Sequence, residues 1–133
     1  MSLILDSSVL VAALSDRGQV GEWAEALILK EDLFAPHIML AEATNILRRL
    51  EARSILGRLE ATSAHRDALS LGIEFLDFAP LADRIWELRA NLTAYDAWYV
   101  AAAESLGLPL ATLDQRLARA TGPRCKFHLP PHS

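Results

Sequence analysis

Cysteine is nearly absent from this 133-residue chain. The single Cys125 excludes an intrachain disulfide and any cysteine cluster for zinc, and points to a reducing compartment. Lysine is almost as scarce. Of 13 basic residues only Lys30 and Lys126 are lysines; the rest are arginines, the side chain suited to bidentate contact with phosphate. Net positive charge is missing too. The balance is −4, which disfavours a nucleic-acid binder relying on a basic surface alone, unless metal ions cover several carboxylates. No uninterrupted apolar run reaches transmembrane length. The opening "MSLILDSSVLVAAL" has no basic leader and carries Asp6 inside its apolar run, so it does not read as a signal peptide. A cytoplasmic protein is the simplest expectation. Repeats, low-complexity segments and linkers are lacking, so the length predicts one domain over 1–133, with 130–133 as a tail.

What the chain holds in excess is apolar residues, 52% of the total and mostly Ala and Leu. The surplus fits apolar surface covered by a partner, such as a second copy of the chain; a simply alanine-rich sequence is the plainer account. Apolar patterning predicts strands at "SLILD", "LFAP", "IEFLDF", "LPLATL" and "CKFHL". Helices are predicted over 7–15, 20–32, 37–54 and 55–72, then from Pro80 over 80–92, and over 93–107 and 114–122. Strands alternating with helices imply an α/β fold: a central, mainly parallel sheet of four or five strands flanked by helices. Ligand sites in such sheets lie beyond the strand C-termini, near the point where strand order reverses.

Four acidic residues stand near such ends. Asp6 follows the first strand, and Asp114 follows "LATL". Asp96 lies three residues after Thr93, the spacing of a capping box. Taken singly, each aspartate reads as a helix N-cap. Glu42 resists that reading. It lies four after Ile38 and four before Ile46, on an apolar stripe, with Asn45 and Arg49 on nearly the same face. A structural Glu42–Arg49 contact would have to span two turns. If the four carboxylates converge they repel, at about 4 kcal/mol for two charges ~4 Å apart at an effective dielectric near 20. Such a cluster holds protons or binds cations. Carboxylate oxygens without His or Cys beside them favour Mg²⁺ or Mn²⁺ over zinc. His37, His65, His128 and His132 show no ligand spacing and read as surface or packing residues. A carboxylate-held divalent ion points to phosphate chemistry.

Three stretches, "LILDSSVLVAAL", "AEATNILRRL" and "LTAYDAWYVAAAESLGLPLATLDQRLARA", together resemble PIN-domain proteins, most closely the VapC-type toxins of bacterial toxin–antitoxin pairs. The likeness extends over nearly the whole chain and implies a three-layer PIN-like fold and a metal-dependent endoribonuclease. By that resemblance, Asp6, Glu42, Asp96 and Asp114 match the acidic quartet that holds Mg²⁺ or Mn²⁺, with Asp6 a direct ligand. Ser7, Asn45 and Thr93 match supporting polar residues. The resemblance further implies a homodimer, a cognate antitoxin that reaches into the active site, and structured RNA substrates, tRNA or ribosomal RNA. Arg48, Arg49, Arg53 and Arg116 are candidates for the RNA backbone, or else parts of solvated helix faces. Tyr95, Tyr99 and the alanines are expected to anchor the helix that carries Asp96. An alternative is a PIN fold used only to bind RNA or protein. A receiver domain is disfavoured because Ser7 and Ser8 follow Asp6 and neither lysine is suitably placed; Ser8 also breaks the D-x-D of haloacid-dehalogenase phosphatases.

Overall fold

The first strand, β1 (Ser2–Leu5), buries Leu3, Ile4 and Leu5 almost completely, each contributing about 1.5–3 kcal/mol of apolar transfer. Such a run, apolar on both faces, suits the centre of a parallel sheet. The computed structural model, which describes residues 1–131, places it there. β2 (Asp32–Pro36) and β3 (Glu74–Leu76) lie to one side, β4 (Leu110–Ala111) and β5 (Phe127–His128) to the other. All four pairings are parallel, in the order β3-β2-β1-β4-β5, with Leu3 opposite Leu33 and Ile4 opposite Leu110. Strand order therefore reverses between β1 and β4.

Among the described residues seven α-helices join the strands: α1 (Ser7–Ser15), α2 (Gln19–Lys30), α3 (Met39–Ala52), α4 (Arg58–Ser70), α5 (Ala82–Glu87), α6 (Ala94–Leu106) and α7 (Gln115–Ala118). Right-handed crossovers put α1–α4 on one face and α5–α6 on the other. The packing agrees, since α1 touches α2, α3 and α4, while α6 lies over β1, β2 and β4. The alanine run of α6 lets that helix sit close to the sheet: Ala97, Ala101, Ala102 and Ala103 are buried. Gly107, at φ 65°, ends it in the left-handed conformation that glycine accepts without strain.

The elements over 80–92 and at the chain's end are shorter than their sequence patterns predict. Pro80 lies in a 3-10 turn (Ala79–Leu81), and α5 stops at Glu87. Beyond it the N–H groups of Leu88, Arg89 and Asn91 donate to carbonyls three residues back, which tightens and ends the helix. Arg84 also ties α5 elsewhere, donating from Nε and Nη2 to the Glu104 carboxylate at 2.7 and 3.1 Å and from Nη2 to the Gly122 carbonyl. The 55–72 helix starts only at Arg58, after Ser54 turns the chain at φ 58°. The strand expected over 73–78 is three residues long, and those expected over 108–113 and 125–129 are two each. The tail expected over 130–133 includes His132 and Ser133, which lie outside the described residues.

Gly21 marks the closest helix approach. A Cβ there would sit 1.8 Å from the Asp16 carbonyl oxygen at the end of α1. Gly21→Ala is expected to destabilise the protein by about 1–3 kcal/mol in urea unfolding. Gly72→Ala, with nothing within 4 Å of its Cβ, should be near neutral. Equal midpoints for the two variants would contradict the packing argument.

Candidate active site

Asp6 leaves β1 at the point where strand order reverses, and Thr112 and Asp114 leave β4 beside it. Asp6 is the N-cap residue of α1 by backbone position, yet its carboxylate caps nothing. The oxygens are taken by hydroxyls instead. Ser7 Oγ donates to Oδ1 at 3.3 Å, Ser8 Oγ to Oδ2 at 3.1 Å, and Thr112 Oγ1 to Oδ2 at 2.6 Å. Thr112 is fully buried, and its Oγ1 also accepts the Asp114 N–H at 3.0 Å. With that lone pair engaged, its one proton goes to Asp6. Asp114 is a cap, as its sequence position predicts: Oδ1 accepts from the N–H groups of Arg116 and Leu117.

Asp96 stands in the first turn of α6, whose N-cap is Thr93; Thr93 Oγ1 accepts the Asp96 N–H at 3.2 Å. Glu42 stands in the first turn of α3, one position off the buried stripe of Met39, Ala43 and Leu47. Its Oε1 accepts the Tyr99 hydroxyl at 2.7 Å. No Glu42–Arg49 contact forms among the described residues. All four acidic residues thus sit at helix N-termini, where unpaired N–H groups and the helix dipole favour negative charge.

The carboxylates feel one another. Burial pushes the Glu42 carboxyl above its ordinary value; the Tyr99 hydrogen bond pulls it back, and the charges of Asp6 and Asp96 push it up again. Burial likewise raises Asp96, reinforced by Asp6 and then Asp114, against the opposing charge of Arg116. Tyr99, only 2% exposed, is held in its protonated form by burial and by the nearby Asp6 and Glu42. It therefore donates to Glu42.

Among the described residues, no three His, Cys, Asp or Glu side chains stand close enough to hold a metal ion as they are. The hydrogen bonds account for this: Asp114 is turned to α7, Glu42 to Tyr99, and Asp6 to its three hydroxyls. Asn45 and Arg49 lie with Glu42, Ser7 and Tyr95 along a cleft beside the carboxylates. Arg116, exposed in α7, stands near enough to Asp96 to act on its charge. Arg48 lines a separate groove with His65, between α3 and α4, and Arg53 follows the end of α3. Three residues at the site carry no strong sequence signal: Ser8, Thr112 and Tyr99. Tyr99 was expected only to anchor its helix. Its position three residues after Asp96, and the need of a buried phenol for a partner, are the hints that could have identified it.

The PIN domain family model matches residues 3–123. Ribonuclease VapC9 of Mycobacterium tuberculosis is 39% identical over 129 residues, covering 97% of this chain and 98% of that protein. Ribonuclease VapC1 of the same organism is 35% identical over 128 residues, 95% and 96% of the two chains. The chain belongs to the PIN-domain family, and within it to the VapC ribonuclease group. Two solved structures share the fold. The VapBC2 structure from Rickettsia felis, bound to a promoter DNA fragment, matches at TM-score 0.69 and 19% identity, covering 97% of this chain and 98% of that one. FitAcB from Neisseria gonorrhoeae matches at TM-score 0.62 and 24% identity, covering 86% and 89%.

A carboxyl whose folded-state pKa stands above its unfolded value favours folding most when protonated. That contribution is complete below the ordinary values, 3.8 for Asp and 4.5 for Glu, and is lost as pH rises through the raised folded values of Asp96 and Glu42. In EDTA, Asp96→Asn should therefore raise the melting temperature by roughly 2–5 °C near neutral pH. The gain should shrink toward pH 4. A fall in melting temperature would mean that the Asp96 carboxylate stabilises α6 more than its neighbours repel it.

Proposed function

We propose that this chain is a metal-dependent endoribonuclease, the toxin of a toxin–antitoxin pair, which hydrolyses phosphodiester bonds in structured RNA. The observation that supports this most is the meeting of four acidic elements at the reversal of strand order. There Asp6 acts electrostatically on both Glu42 and Asp96, and Asp114 acts on Asp96. The donors at hand are hard carboxylate and hydroxyl oxygens, which suits Mg²⁺ or Mn²⁺. Mg²⁺ keeps several of its waters and commonly touches only one or two carboxylates, so a fully preformed cage is not required. Asp6, Glu42, Asp96 and Asp114 would hold the ion, with Asp6 in direct contact and others through water. When bound, it would supply charge neutralisation at the phosphate and a lowered pKa for water.

The chain's own residues have definable parts. Ser7, Ser8 and Thr112 fix the Asp6 carboxylate from three directions. Tyr99 fixes Glu42, and Thr93 fixes the turn that carries Asp96. Arg49 and Arg116 would meet the RNA backbone and Asn45 would help orient the site, while Arg48 lines the separate groove toward α4 and Arg53 follows the end of α3. The curated relatives are named ribonucleases, and another fold neighbour, VapC20 of Mycobacterium tuberculosis, is described as a toxin cleaving the sarcin–ricin loop. The sarcin–ricin title favours ribosomal RNA, and the family resemblance adds tRNA as the other substrate class.

An antitoxin partner and a homodimer belong to the same proposal. A cleft of about 530 Å³ opens between α1, α3 and α4, walled by Val11, Ile46, Leu50 and Leu56, and Ile55 on its rim is largely exposed. Leu59 beside it is 83% exposed. Apolar surface of this kind supports a protein partner. No helix among the described residues is long and apolar enough to cross a membrane, and a cytoplasmic location accords with the RNA substrate.

Asp6→Asn should lower RNA cleavage by about 10²–10⁴-fold with an unchanged circular dichroism spectrum. EDTA should abolish cleavage by the wild-type protein, and Mg²⁺ or Mn²⁺ should restore it. Equal cutting in EDTA would overturn the metal mechanism. Induced expression should arrest growth, and co-expression of the neighbouring gene's product should relieve the arrest. Unimpaired growth in both conditions would count against the toxin role. RNA binding by a wild-type protein that never cuts would instead favour the binding-module alternative.

A further inference from the structure

The cleft beside the carboxylates encloses about 510 Å³, within the roughly 300–1,000 Å³ range of small-ligand sites. Its two sides differ in chemistry. Tyr95 forms one side, and its ring is 57% exposed with no hydrogen-bond partner among the described residues. The α3 side presents Ile38, Ala41 and Ile46, with Asn45 and Arg49 further along. Ser7 and Glu42 also line the cleft, and connect it to the carboxylate cluster. An aromatic ring and aliphatic side chains lining one cleft suit the flat surfaces of a nucleobase. A guanidinium about 10 Å along the helix from Glu42 matches a phosphate beyond the scissile one.

Tyr95 is also rigidly mounted. It is the second residue of α6, two positions after the Thr93 cap and directly before Asp96. One turn further on, Trp98 packs edge-on against Phe78, with ring centroids 5.3 Å apart, which buttresses this end of the helix. A large amphipathic ring held on a helix beside catalytic groups loses little entropy on contact with a ligand.

We propose that this cleft is a nucleobase subsite. Tyr95 stacks on the base adjoining the scissile phosphate, the α3 aliphatic side chains cover its other face, and Asn45 and Arg49 hold a neighbouring phosphate. The inference rests on the ribonuclease reading and deepens it: a base can enter between Tyr95 and α3 only when it is unpaired. Tyr95 is thus a specificity-determining residue, which admits single-stranded or looped RNA and excludes continuous duplex.

The test uses a single-stranded oligoribonucleotide with 2-aminopurine at successive positions, bound to the uncut-substrate variant Asp6→Asn in Mg²⁺ buffer. Stacking should change the probe's fluorescence at one position, and the same strand annealed to its complement should bind at least tenfold more weakly. Adding Tyr95→Ala should abolish the fluorescence change and weaken single-strand binding by about tenfold or more, whereas Tyr95→Phe should preserve both. In the cleaving protein, Tyr95→Ala should raise KM with a smaller effect on kcat. The proposal is overturned if the Tyr95→Ala protein binds within twofold of its parent, if Tyr95→Phe fails as Tyr95→Ala does, if the duplex binds equally well, or if the Asp6→Asn parent binds no RNA. A wild-type protein that never cuts RNA but shows the Tyr95-dependent signal would sink the nuclease reading and leave the subsite standing. Normal cutting unaffected by Tyr95→Ala would do the reverse.

Discussion

The hydrogen bond from Thr112 to Asp6 joins the ends of the two parallel strands between which strand order reverses. It is 2.6 Å long, its donor Thr112 is buried, and the hydroxyl proton is committed by the Asp114 N–H on the other side. Through this one hydroxyl, the end of β1, the end of β4 and the start of α7 are set relative to one another. The backbone supports the same junction, since the Asp6 N–H donates to the Ala111 carbonyl at 3.0 Å. A charge-assisted hydrogen bond of this kind is about twice as strong as a neutral one, and losing it would leave the buried Thr112 hydroxyl proton without its acceptor. The placement of Glu42 and Asp96 has meaning only relative to the Asp6 carboxylate that this bond fixes.

Around that fixed point the fold concentrates negative charge that it does not neutralise. Glu42 and Asp96 are each raised by burial and by their acidic neighbours, while the positive charge of Arg116 opposes the shift at Asp96. Parallel α/β topology supplies part of the answer. Every helix that follows a strand directly begins at the sheet's C-terminal edge, so helix N-termini gather where the acids do, and each contributes partial positive charge. Dipoles and hydroxyls fix the carboxylates in place without cancelling their repulsion. Elsewhere the protein pairs its charges conventionally. Arg84 and Glu104 form a two-pronged ion pair, which together with Gly122 and Arg124 closes the C-terminal segment against α5 and α6.

The supporting hydroxyls explain where sequence reasoning stopped. A tyrosine within an alanine-rich helix and a threonine at the end of an apolar strand look like packing residues, because along the chain nothing polar adjoins them. Tyr99 and Glu42 are 57 residues apart, and Thr112 and Asp6 are 106 apart. Only folding makes them partners. The same limit produced the overlong helix over 80–92. Its local pattern is helical as far as Leu92, yet Arg84 is drawn to Glu104 and Gly122, and the turns after Glu87 close on i−3 carbonyls.

The sequence by itself determined the alternation of strands and helices, because apolar periodicity and turn residues are local properties. It also determined which acids deserved notice, because Asp6 and Asp114 end strands, Asp96 follows a capping threonine, and Glu42 reads as lying on an apolar stripe. Tertiary structure decided what each acid does with its oxygens. Asp114 caps a helix, Asp6 does not, and Glu42 is held by a phenol rather than by Arg49. It also decided that Tyr95, which sequence assigns to packing, faces an open cleft. The physical reason is the same in each case. Periodicity gives the side of an element on which a residue lies, but a hydrogen-bond partner is chosen by distance and angle, and those exist only once the strands have paired and the helices have docked.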